Sequence, residues 1–156
     1  MTIPDTRSSS QFDPSNPVVA LCARGMAVEG TPDEALRLFE QAWTARRDDF
    51  DAAIAAHFLA RHQSTDAESL HWNELAVRHA EAVPDGRSAE LLASLYLNLG
   101  DSHARLGNQV PARAAARKAA EHLGALPPGG YREFVAMGID RLTRRLDVTE
   151  DCDRAI

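Results

Sequence analysis

The sequence predicts an all-α protein: three helical hairpins followed by a seventh, closing helix. Three observations predict it. Helix-start chemistry recurs along the chain, apolar residues fall three and four apart after each start, and small residues return at an interval of 34 positions. No run shows the apolar–polar alternation of a half-buried strand.

The 156 residues suffice for one domain with a continuous core. Aromatic residues are only 6% while alanine is abundant, which favours close-packed helices over a β-sandwich. Seventeen basic residues stand against 23 acidic ones, and the net charge of −6 argues against general nucleic-acid binding. Lys118 is the only lysine beside many Arg and Ala residues, a composition that points to a GC-rich, bacterial coding sequence. Cys22 and Cys152 offer no disulfide framework. No apolar run approaches the roughly 20 residues that span a bilayer, and the opening MTIPDTRSSSQFDPSNP lacks the apolar stretch of a signal peptide. A cytoplasmic protein without membrane partners is therefore expected.

Residues 1–16 combine Ser, Pro, Asp and Asn and read as a flexible arm. A single helical domain follows over 17–147, with a tail at 148–156. Its first helix spans about 17–29. The second starts at Thr31, with Pro32 at the first helical position and Glu34 completing a capping box, and carries Leu36, Phe39, Ala42 and Trp43 on one face. A third helix over 50–63 leads to a second capping box at Thr65 and Glu68, whose helix ends before Pro84. The fifth covers 88–106. The sixth begins after Asn108 and stops at Gly124, read as a left-handed C-terminal cap. After the Pro-Pro-Gly-Gly stretch, residues 130–146 form the seventh helix, with an apolar stripe of Tyr131, Phe134, Val135, Ile139, Leu142 and Leu146. The hairpin units are about 17–47, 50–83 and 88–123.

An internal repeat relates the hairpins. Ala35 and Ala42 match Ser69 and Ala76 at a separation of 34 residues, and Ala112 and Ala119 occupy the same places 43 residues further on. In the segment YLNLGDSHARLG, Tyr96, Leu99, Gly100 and His103 are followed by a turn at Gly107 and by Ala112 in the next helix. Residues 19–42 follow the pattern more loosely, through Val19, Cys22, Ala23, Met26, Gly30, Ala35, Phe39 and Ala42. The middle unit departs most, with Asn73 in a place usually apolar. Over residues 17–123 the chain resembles the tetratricopeptide repeat family, whose unit is a helix–turn–helix of about 34 residues. The resemblance implies an α-solenoid, a short right-handed superhelix of three such hairpins. Helix 130–146 would cap it by packing Phe134, Ile139 and Leu142 on the third unit, or would pair with a second copy as a homodimer. Glycine inside a helix costs about 1 kcal/mol against alanine. Close approach of Gly100 to Ala112, and of Ala23 to Ala35, would offset that cost by burying neighbouring apolar side chains.

No catalytic motif stands out, and no enzyme is expected. Glu68 and His71 are three apart, but no second such pair completes a di-iron set. His57 and His62 are five apart and share no helical face well, Cys22 reads as a small core residue, and Trp72 with Leu75 and Ala76 reads as core. GALPPGG lacks the Lys-Ser/Thr of a phosphate cradle. No metal or other cofactor is expected. What remains is surface. The resemblance implies that the first helices line a concave groove, here carrying Arg24, Val28, His57, Arg61, Asn98, Asp101 and Arg105. Three arginines against one aspartate would make it locally positive, and the arginine fork suits carboxylates. The implied role is a non-catalytic module that binds a peptide or partner helix, with an acidic or C-terminal segment preferred. The alternative is a ligand-responsive regulator that takes a small anion or signalling peptide. Family members that hold a chaperone's terminal carboxylate use a Lys, Arg and Asn set, of which only Asn98 has a counterpart; Leu21 and Ile54 stand where polar residues would be wanted.

Overall fold

A computed structural model describes residues 12–154, and among these the chain is all-helical. Its helices are α1 (Pro17–Ala27), α2 (Pro32–Ala45), α3 (Asp49–Ala60), α4 (Asp66–Ala82), α5 (Ala89–Arg105), α6 (Gln109–His122) and α7 (Gly130–Arg154), with a 3₁₀ turn at Leu123–Ala125. The arm expected over 1–16 lies outside the described residues up to position 11. None of the described helices is long and apolar enough to cross a membrane.

Local chemistry sets most of the starts. The Asn16 side chain accepts from the Val18 N–H, and Pro17 occupies the first helical position of α1. The Asp48 carboxylate accepts from the Asp51 N–H at the start of α3. At α4 the capping box forms in full: the Glu68 N–H donates to Thr65 Oγ1, and the Thr65 N–H donates to Glu68 Oε2. The box expected at Thr31 does not form. Only the Thr31 carbonyl accepts there, from the Glu34 and Ala35 N–H groups, and Asn108 likewise caps α6 by its carbonyl alone. Gly107 turns the α5–α6 connection with φ +77°. Gly124 is not the left-handed cap expected of it, because the chain tightens there into the 3₁₀ turn.

The helices pack in hairpins, α1 on α2, α3 on α4 and α5 on α6, and α2–α3 and α4–α5 contacts join them. Helix α3 lies at the centre against α1, α2 and α4. That position explains why Phe50, Ala52 through Ala56 and Phe58 through Ala60 are all buried: a helix packed against three others is apolar around most of its circumference. The polar Asn73 is buried because its Nδ2 donates to the fully buried Ser102 Oγ at 2.8 Å, tying α4 to α5. Trp43 and Trp72 meet edge to face, with ring centres 5.0 Å apart, between α2 and α4. Asp51 is the buried carboxylate that fastens the entry to α1. It accepts from Asn16 Nδ2 at 2.7 Å and from the Arg47 N–H and Nε at 3.1 and 3.0 Å. Burial alone would raise its pKa, but these hydrogen bonds and the Arg47 charge outweigh burial and hold it below the ordinary aspartate value.

Helix α7 packs on α5 and α6 through Val135, Ile139, Leu142 and Leu146. Two of its expected stripe residues do not take part. Phe134 is 71% exposed because it lies one residue off the face set by Val135, Ile139, Leu142 and Leu146, and Tyr131, in the first turn, is 59% exposed. The helix also runs past residue 146 to Arg154. Nothing in DVTEDCDR stops it, since glycine and proline are both absent there. Arg145 reaches Asp101 of α5 at 2.7 Å.

Candidate functional site

A pocket of about 760 Å³ opens among α1, α3 and α5, with Phe12 and Pro14 on one side and Tyr131 of α7 on another. Its walls come from the domain core: Val19 and Cys22 from α1, Ala53 and Ile54 from α3, Leu91 and Leu95 from α5, all buried. The mouth keeps large apolar side chains in water, with Phe12 49% and Met26 46% exposed beside Tyr131. These side chains are gathered around one opening rather than scattered singly over the surface.

Of the seven groove residues expected from sequence, Arg24, His57 and Arg61 line this pocket. Val28 is partly buried and packs against the core instead. Asn98 touches the site only through His57, its Nδ2 lying 3.2 Å from the imidazole Nδ1. Asp101 and Arg105 lie outside the pocket. Arg105 borders a separate polar depression with Thr65, Asp66 and Ser69.

The expected positive character is largely cancelled. Arg61 pairs with Glu29 at 3.0 Å, and His62 shares that carboxylate at 3.3 Å. Arg105 is 3.3 Å from both Asp66 and Asp101. Burial, with Arg61 nearby, pushes His57 down to about 4, so it is neutral at physiological pH. Arg24 differs: among the described residues it has no ion pair or hydrogen bond. None of the described lining residues is Asp or Glu. The site is therefore an apolar hollow with one unpaired cation at its edge.

Cys22 lines the hollow, but burial foremost, with the Asp51 charge, pushes its thiol up to about 12, so the thiolate is scarce at neutral pH. Among the described residues no group of three His, Cys, Asp or Glu side chains is placed to hold a metal ion. Glu68 is engaged in its capping box, and His71 lies edge-on to Trp72.

Sequence reasoning missed Met26, Leu91, Ser94, Leu95 and Tyr131 as site residues. A signal existed in Leu91 and Leu95, an i, i+4 apolar pair on α5. The register of α1 was also misplaced. Ala23 is exposed and does not face the fully buried Ala35; the small buried residue against α2 is Gly25. No family model, curated protein or solved structure matches the chain.

Proposed function

We propose that the chain is a non-catalytic, tetratricopeptide-like interaction module. Its three hairpins form a short superhelix, α7 caps the third, and the hollow beside α1, α3 and α5 receives a peptide or a partner's helix. One observation carries the reading: an open pocket walled by the domain's own core, with Phe12, Met26 and Tyr131 left in water around its mouth. Leaving such side chains exposed forgoes stabilisation of about 25 cal/mol for each Å² of apolar area not buried, and a docked partner recovers it. The helix pairing within hairpins and the close contact of Gly100 with Ala112 support the repeat reading.

The favoured ligand is an apolar segment with at most one anionic group, because among the described lining residues Arg61 is paired with Glu29 and Arg24 alone is left to attract a charge. A display library of random short peptides tests this. Wild type should enrich sequences with large apolar anchors, and Met26→Glu, a change at a half-exposed position, should abolish the enrichment without unfolding the protein. Enrichment that survives Met26→Glu would show that the peptides bind elsewhere.

A further inference from the structure

The depth of the pocket places a stricter demand on a ligand than its mouth does. Along the wall formed by Val19, Cys22, Ile54 and Leu95 the one polar side-chain group is the Cys22 thiol, a weak partner for a buried amide, and the nearby His57 imidazole already meets Asn98 through Nδ1. The Ser94 hydroxyl already donates to the Leu91 carbonyl, at 3.0 Å. An extended peptide laid into that depth would bury N–H and C=O groups without partners, each a substantial cost. An aliphatic chain brings no such groups. At the rim stands Arg24, which has no counter-ion among the described residues, and no carboxylate of the described lining repels an anion. The volume of about 760 Å³ lies within the range of small-molecule sites, about 300–1,000 Å³.

We propose that this pocket binds a small amphiphile, an unbranched aliphatic chain with a terminal carboxylate, the chain lying along the core wall and the carboxylate meeting Arg24. The inference rests on the pocket being a binding site, as the reading above does, and names a different occupant for its depth. Sugars and nucleotides fit poorly, because Arg61, Ser94 and His57 are engaged with Glu29, the Leu91 carbonyl and Asn98, which leaves too few donors and acceptors for several hydroxyls or a phosphate. A neutral apolar ligand would leave the Arg24 charge unused.

Calorimetric titration with hexanoate, octanoate and decanoate, each below its micellar concentration, tests the proposal with decanol as the uncharged control. Each added CH₂ should tighten binding about fourfold, from about 0.8 kcal/mol per buried methylene. Decanoate should bind about tenfold more tightly than decanol. Arg24→Gln, at an exposed position, should weaken decanoate about tenfold and leave decanol unchanged, whereas Arg144→Gln on the outer face of α7 should change neither. The proposal is overturned if decanoate does not bind, if decanol binds equally well, or if Arg24→Gln binds decanoate like wild type. The two readings fail separately. Peptide enrichment without decanoate binding removes only the amphiphile, and decanoate binding without Met26-dependent enrichment removes only the peptide.

Discussion

The first and third hairpins each place a glycine where two helices press together, yet the neighbours that require it differ. In the third, a Cβ on Gly100 would lie 3.3 Å from the Ala112 carbonyl oxygen, 3.4 Å from Ala115 Cβ and 2.9 Å from Leu142 Cδ2. Two of those atoms belong to α6 and the third is the movable end of a side chain on α7. In the first, a Cβ on Gly25 would overlap Cε1 of Phe39, a fully buried ring stacked on Phe58 with centres 5.2 Å apart. One glycine admits a neighbouring backbone, the other an aromatic ring locked between helices. A small residue at a helix crossing therefore does not have a fixed worth. Its value depends on how far the atoms opposite can retreat.

The largest effect should come from Gly25→Ala. The added methyl gains about 1 kcal/mol of helix propensity, but it overlaps a ring held on its far side by Phe58 and close to His62. The net loss should be about 3 kcal/mol, at the upper end for overpacked cores, read as a lower urea midpoint at unchanged slope. Gly25→Ala combined with Phe39→Leu should lose less than the sum of the two single changes, since the leucine vacates the space. Strict additivity would break the comparison, by showing that the ring is not what excludes a side chain at position 25.

His57 lies where the second hairpin meets the third, hydrogen-bonded to Asn98 of α5 beside the pocket. Its folded-state pKa is lowered to about 4, by burial first and Arg61 second, against about 6.5 in the unfolded chain. As pH falls through 6.5 the unfolded state takes up the proton first, so stability is lost from there down towards pH 4. Between pH 7.5 and pH 5 the loss should reach about 2 kcal/mol. His57→Gln should remove most of that dependence in urea titrations at the two pH values. An unchanged pH profile would mean that the imidazole is not held neutral between the hairpins.

How far the sequence reveals this molecule follows from which interactions are local. Helix positions, the Thr65–Glu68 capping box, the Gly107 turn and the approach of Gly100 to Ala112 all depend on residues a few positions apart or one hairpin apart, and each is legible. Thr31 misleads because its backbone carbonyl, not its side chain, takes the Glu34 N–H. Ala23 misleads because the carried-over repeat spacing sets α1 two residues out of register, and Gly25 holds the place against Phe39. The site was half legible. Arg24, His57 and Arg61 emerge from helix-face reasoning, but the neutralising partners Glu29 and Asp66 lie on other segments, 32 and 39 residues from the arginines they meet. Pairing at that distance is set by tertiary packing, and no spacing rule anticipates it.

The smallest effect, and the one that sharpens the contrast most, belongs to Gly100→Ala. Helix propensity again favours alanine by about 1 kcal/mol. Against this, Leu142 Cδ2 must rotate away, and α6 must yield by a few tenths of an ångström at the Ala112 carbonyl. Rotation of a leucine end costs little, whereas displacing a helix backbone disturbs Ala115 and Ala119 packed along the same face. The net loss should be about 1 kcal/mol, a third of that at Gly25. Leu142→Ala in the same chain tests the division. It relieves the side-chain overlap and leaves the carbonyl contact, so the penalty of Gly100→Ala should persist in that background. Its disappearance would place the restriction on α7 rather than α6, and the two hairpins would then differ only in which side chain stands opposite the glycine.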